Sequence, residues 1–330
     1  MVVPPNIQQH NIYQLVSQDF AAVNELISQR LNSDVNRIRQ VGQHLVDSGG
    51  KRIRPLLVLL CCHACQYPGQ QHIQLAAIIE FLHTATLIHD DVVDDSALRR
   101  GQATANSLWG NPTSVLTGDF LYSRAFQMMV ELKNLAIMDV LANATNVIAE
   151  GEVLQLVHSH DWRIDEQHYM QVIGCKTAEL FAASAQTAAI LAQATDAQIM
   201  ALKNYGLHLG LAFQLIDDVL DYSGHADSLG KNPGDDLLEG KVTLPVIYSL
   251  RKGDREQTKL LKQALTDSQQ ALANWPAISR LVDQCGALDY CLAQARQQAQ
   301  QALTNLNQLP DSNYRQALAD LVNMAITRVN

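Results

Sequence analysis

The chain has 330 residues, of which 47% are hydrophobic and 5% aromatic, with a net charge of −9 at pH 7. That supplies enough apolar material for a large core, and no Lys/Arg run forms the basic footprint of a nucleic-acid binder. Acidic charge also repels anionic substrates unless metal ions intervene.

Six cysteines are few for this length. Cys62-His63-Ala64-Cys65 has CxxC spacing but no second pair at zinc-site distance, which favours buried thiols in a reducing compartment over a redox or metal role. Residues 1–10 lack a basic n-region and an apolar h-region, so no secretory signal is expected. The longest apolar run, Leu56 to Cys65, is too short to span a bilayer. These features predict a cytoplasmic protein. No Gly/Ser/Pro-rich linker divides the chain, so one domain over 1–330 is expected.

Helical periodicity dominates. It predicts helices over 11–31, 34–48, 55–66, 71–95, 113–133, 136–158, 166–193, 195–223, 241–252, 255–269, 276–304 and 311–329. Between several of them lie breakers such as Ser48-Gly49-Gly50, Tyr67-Pro68-Gly69 and Asn232-Pro233-Gly234. The predicted fold class is all-α, an orthogonal or bundle-like arrangement with buried central helices.

The helix over 71–95 passes from an apolar run into Asp90-Asp91-Val92-Val93-Asp94. Residues four apart share a helical face, so Asp90 and Asp94 line up. Clustered carboxylates repel, and a hard cation such as Mg²⁺ removes that cost. A lone DDxxD is equally a solvated acidic helix end. However, Asp217-Asp218-Val219-Leu220-Asp221 repeats the pattern after another apolar run, and Gln214 shares its face. Two such motifs suggest facing carboxylate clusters with Mg²⁺ ions and a diphosphate between them.

Basic residues accompany both. Gly49-Gly50-Lys51-Arg52-Ile53-Arg54-Pro55 presents Lys51 and Arg54 near a helix start, where anions bind well. A basic surface turn is the alternative for that segment alone. Arg99-Arg100 follows the first motif, and Arg forks suit phosphate oxygens. Lys176-Thr177 interrupts an apolar helix. His83 shares the Asp90 face two turns away, although a lone His of this kind is more often core. The segment 230–236, with Glu239-Gly240-Lys241, adds mixed charge after the second motif.

Taken together, GGKRIRP at 49–55, ExxHxAxLxHDDVVD at 80–94, RRG at 99–101, GDF at 118–120, KTAxLF at 176–181, FQxxDDxxDY at 213–222 and GKNxGDDxxEGKxTLP at 230–245 resemble the trans-isoprenyl diphosphate synthase family, most closely its bacterial octaprenyl branch. The resemblance implies an isoprenoid-synthase-type helical bundle with a central cavity between buried helices. It implies Mg²⁺, three ions with substrate bound, held by Asp90, Asp91, Asp94, Asp217, Asp218 and Asp221. Lys51, Arg54, His83 and Arg100 then hold isopentenyl diphosphate. Arg99, Lys176, Thr177, Gln214, Lys231 and Lys241 hold the allylic diphosphate, such as farnesyl diphosphate. The catalytic set is the six aspartates with Lys176.

The family gates product length four and five residues before the first motif. Here those residues are the small Ala85 and Thr86, which predicts a long product; Met128 and Met129 are further candidates for the tunnel wall, or ordinary core. Resemblance points to a C40 product for a respiratory quinone, and heptaprenyl, nonaprenyl and geranylgeranyl specificities stay open. It further implies a homodimer, and a lipid-like product suggests transient contact with a membrane surface during release. A terpene cyclase and a non-catalytic synthase subunit are the rivals. The repeated DDxxD and the presence of Lys51, Arg54 and His83 speak against both.

Overall fold

The computed structural model describes residues 11–223 and 234–328. The elements are α1 (Ser17–Arg30), α2 (Asn36–Asp47), α3 (Ile53–Ala64), α4 (Gln71–Val93), β1 (Leu98–Arg99), β2 (Gln102–Ala103), α5 (Ala105–Trp109), α6 (Asn111–Glu131), α7 (Leu135–His158) and α8 (Glu166–Ile173). A π-helical turn (Gly174–Ala178) follows, then α9 (Glu179–Leu191), α10 (Asp196–Tyr222), α11 (Asp235–Leu238), α12 (Leu244–Lys252), α13 (Arg255–Thr266), α14 (Ser268–Gln284) and α15 (Ala287–Asn305). A 3₁₀ turn (Leu306–Gln308) leads into α16 (Asn313–Ile326). The all-α expectation is met, with one antiparallel pair of two-residue strands between α4 and α5.

Several predicted boundaries move. The expected 276–304 helix is two, α14 and α15. Asp267 accepts hydrogen bonds from the backbone of Gln269 and Gln270, which starts α14 well before Pro276 and leaves that proline in the helix interior. Gly286, at φ +77°, ends the segment before α15. The predicted 166–193 helix is continuous in path but holds the π turn at Gly174–Ala178.

The chain divides into two compact units. The first comprises the described residues within Met1–Thr145, Leu180–Gly206 and Leu303–Met324; the second those within Asn146–Glu179, Leu207–Ala302 and Ala325–Asn330. In the first unit α3 is apolar from Pro55 to Cys62, and Leu56 through Leu60 are fully buried. Each such side chain contributes up to about 1.5–3 kcal/mol. Helix α6 runs antiparallel to α4. A Cβ at Gly118 would lie 2.2 Å from His89 Nε2, and the Gln74 amide donates to the Met128 carbonyl at 2.8 Å. In the second unit, Tyr169, Leu215, Ile216, Val219 and Leu220 share a core with Cys291 and Ala295.

Candidate active site

Both acidic motifs sit at helix C-termini. Helix α4 ends at Val93 with Asp94 as its cap, and α10 ends at Tyr222, one residue past Asp221. Carboxylates at that end oppose the helix dipole, which favours cations there.

In the first unit, Gly49 (φ +63°), Gly50 (φ +140°) and Arg52 (φ +44°) turn the chain sharply into α3. Arg100 donates to the Gly49 carbonyl, and a Cβ on Gly50 would meet its Nη1 at 2.2 Å. Arg54 Nη1 lies 3.0 Å from His83 Nε2 and its guanidinium sits 4.3 Å over the Phe181 ring. A guanidinium can only donate, so His83 Nε2 accepts and the ring is neutral. Burial first, then Arg54, Arg100 and Arg99, hold His83 well below the usual imidazole range. Arg99 Nε pairs with buried Asp91 at 2.6 Å. Arg52, Glu80, Asp91, Arg99 and Arg100 line one cleft. Burial raises the Glu80 carboxyl, against the pull of Arg52, Arg54 and Arg100. Lys51 is exposed in the turn, and the Tyr13 hydroxyl donates to its carbonyl. Ala85 is fully buried, while Thr86 is half-buried and donates to the His83 carbonyl at 2.8 Å. Met128 and Met129 are buried on α6, level with Gln74. Gln74 is about 24 Å along α4 from Asp90.

In the second unit, the π turn carries Lys176 and Thr177. Lys176 Nζ contacts Glu152 Oε2 at 2.6 Å and Gln155 Oε1 at 2.9 Å. Thr177 Oγ1 donates to Gln214 Oε1 at 2.8 Å, and Gln214 Nε2 donates to Asp218 Oδ1 at 2.8 Å. Tyr169 donates to the other oxygen of Asp218 at 2.6 Å. The Gly234 amide donates to Asp221 Oδ1 at 3.2 Å. Burial, then the charge of Asp236, push Asp218 up to about 8 and Asp221 up to about 9. Lys241 Nζ pairs with Glu239 Oε2 at 2.5 Å. Lys231 lies outside the described residues.

Burial first, and neighbouring carboxylates second, raise the proton affinity of Asp218 and Asp221, and a divalent oxygen-seeking cation would offset both costs. The donor set therefore fits Mg²⁺. Asp19, His63 and His72 form a separate group whose ligand atoms all lie within 4.8 Å of one another.

Two neighbours were not anticipated from sequence, Tyr169 and Arg328, whereas Asp236 belongs to the charged segment 230–236 that follows the second motif. Arg328 Nη1 lies 2.8 Å from Asp217 Oδ1, with its guanidinium 4.6 Å over the Phe213 ring. Tyr169 and Arg328 are remote in sequence from the motif, so no local pattern could have flagged them.

A family model described as "Polyprenyl synthetase" matches residues 35–282. The chain belongs to this family. It is 48% identical over 317 residues to the octaprenyl diphosphate synthase of Escherichia coli (strain K12), covering 96% of this chain and 98% of that protein. It is 45% identical to a geranyl-diphosphate-specific all-trans-nonaprenyl-diphosphate synthase of Rhodobacter capsulatus, covering 95% of this chain and 96% of that protein. A crystal structure of a polyprenyl synthase from Caulobacter crescentus CB15, complexed with calcium and isoprenyl diphosphate, is similar in fold. Its TM-score is 0.94 at 43% identity, covering 97% of each chain. The fold is the isoprenoid-synthase helical bundle.

Proposed function

We propose that this chain is an all-trans-octaprenyl diphosphate synthase, a prenyltransferase acting through one catalytic domain. It joins isopentenyl diphosphate head-to-tail (1'-4) to an allylic diphosphate such as farnesyl diphosphate. The observation that carries the reading is the 48% identity to an octaprenyl diphosphate synthase over nearly the whole of both chains. The two acidic motifs, each with basic groups in its own unit, support it.

Asp90, Asp94 and Asp217 would hold Mg²⁺, supported by Asp91, Asp218 and Asp221; three such ions, with substrate bound, would supply positive charge to the departing diphosphate. Lys176, Thr177, Gln214 and Arg99, with Lys231 and Lys241, hold the allylic diphosphate. Lys176 opposes the charge that develops as the allylic C–O bond breaks. Lys51, Arg54, His83 and Arg100 hold isopentenyl diphosphate. Its double bond then attacks the allylic carbon, and the proton lost goes to the released diphosphate. Small residues at Ala85 and Thr86 leave room for the growing chain, with Met128 and Met129 deeper along its path. Apolar walls keep water from quenching the cation.

A homodimer fits Leu116, Phe126 and Val130 on α6, which are exposed apolar side chains. Cytoplasmic residence fits six free thiols, and the prenyl tail suits a quinone acceptor. Among the described residues no helix is long and apolar enough to cross a membrane, and the lipid-like product supports transient contact with a membrane surface during release. Liposome co-sedimentation with and without product tests that contact.

The central test is incubation of purified protein with Mg²⁺, farnesyl diphosphate and labelled isopentenyl diphosphate. A C40 main product is expected. A C35 or C45 main product moves the assignment to the heptaprenyl or nonaprenyl specificity, and a C15 or C20 main product overturns the long-chain reading. Absence of elongation by folded protein overturns the function.

A further inference from the structure

Asp19, His63 and His72 come from α1, α3 and α4 and converge in the first unit, outside the residues assigned to substrate. His63 Nε2 lies 2.6 Å from Asp19 Oδ2, and His72 Nε2 lies 3.1 Å from the same oxygen. His72 is 5% exposed, and neither of its ring nitrogens completes a geometrically sound hydrogen bond; Nε2 meets Asp19 only as the 3.1 Å ion-pair contact. A buried imidazole aimed at a carboxylate oxygen without a hydrogen bond is poorly satisfied by protein alone. His63 is held from the other side by Tyr314, stacked at 4.7 Å and 15°.

We propose that Asp19, His63 and His72 form a Zn²⁺-class site that ties α1, α3 and α4 together. Two imidazoles and one carboxylate are a tetrahedral zinc donor set with one position left for water. Tetrahedral ligand atoms around zinc stand about 3.3 Å apart, close to the 2.6 and 3.1 Å from Asp19 Oδ2 to the two imidazoles, and all three ligand atoms lie within 4.8 Å of one another. The Asp19 and His63 side chains are each 26% exposed, which gives an ion and its water access. Mg²⁺ prefers an all-oxygen shell, so this site and the aspartate motifs select different metals. His63 belongs to the Cys62-His63-Ala64-Cys65 segment, yet the thiols stay out of the cluster: Cys62 Sγ is directed at the Ala188 carbonyl, 3.6 Å away.

The test is titration of the chelator-stripped full chain with Zn²⁺, in excess Mg²⁺ to saturate the aspartate motifs. One stoichiometric equivalent is expected, with Tm rising by about 5 °C when free Zn²⁺ is about 100-fold above Kd. Co²⁺ in its place gives the intense visible bands of a tetrahedral ion. Asp19→Asn and His72→Gln weaken Zn²⁺ binding at least tenfold, while Asp90→Asn leaves it unchanged. Should His72→Gln fail to fold, His63→Gln, at a more exposed ring, carries the comparison. The proposal is overturned if stripped wild type takes up no equivalent, or if the cluster variants bind Zn²⁺ as wild type does. Loss in Asp90→Asn alone overturns it equally, since the ion then sits in the aspartate motifs.

Discussion

The Tyr169 hydroxyl donates to Asp218 Oδ2 at 2.6 Å, while Gln214 donates to Oδ1 at 2.8 Å. Both oxygens of one motif carboxylate are therefore aimed by neighbours. Both bonds favour its ionised form, against burial and the charge of Asp236. Tyr169→Phe removes one donor. A hydrogen bond to a charged group is worth about 1.5–3 kcal/mol, so the Mg²⁺ needed for half-maximal rate should rise about tenfold or more near neutral pH. Rate against Mg²⁺ concentration checks this, and added Mg²⁺ should restore activity.

Asp218 and Asp221, pushed up to about 8 and 9, hold protons in the native chain that the unfolded chain has already lost above about 4. Native-state proton uptake exceeds that of the unfolded state in this window, so metal-free stability falls as pH rises from about 5 to 9. Melting curves across that range should show the decline. Mg²⁺ must displace these protons, so it should flatten the decline and release protons on binding. Calorimetry in two buffers of different ionisation enthalpy measures the release.

Lys176 is presented from the π turn and steadied by Glu152 and Gln155. Lys176→Ala should lower kcat/KM for the allylic diphosphate about 10²–10³-fold, the scale of losing one donor to a developing anion. Glu152→Gln keeps the lysine and should cost far less. Steady-state kinetics of both variants separates charge from positioning.

Gly50 has no room for a side chain beside Arg100 and holds φ +140°. Gly50→Ala should displace Arg100 and raise KM for isopentenyl diphosphate more than KM for the allylic substrate. Two-substrate kinetics distinguishes this from general destabilisation, which lowers the maximal rate and leaves both KM values in place.

Ala85 is fully buried on α4. Ala85→Tyr should shorten the product, with a stability loss of about 1–3 kcal/mol where the ring overpacks its neighbours. Chromatography of dephosphorylated products reads the length. An unchanged distribution counts against the gate.

Much of the fold and of the candidate site is legible in the sequence. Carboxylate spacing in 90–94 and 217–221, and the glycines before Arg54, depend on local geometry, and local geometry follows sequence. Long apolar-periodic segments likewise marked α4, α6 and α10. The start of α14 was less legible, because Asp267 capping outweighed the signal of Pro276, and the break before α15 falls at Gly286, whose φ of +77° stops the helix. Nor does helical periodicity alone disclose the π turn: its extra residue slips the apolar face by about 100°, but Leu180 to Ala185 are buried on every side of α9, so the slip leaves no break in the pattern.

By itself the sequence determined the all-α class and the two aspartate motifs, because helical faces and charge clusters follow from residue order. Only the tertiary structure decided which groups surround those carboxylates. Tyr169 and Asp236 reach Asp218, and Arg328 reaches Asp217, across long sequence separations. Burial beside these partners sets the proton affinity of Asp218 and Asp221, and burial is a property of packing. The convergence of Asp19, His63 and His72 from three helices is of the same kind: each residue is ordinary in sequence, and their meeting depends on the fold.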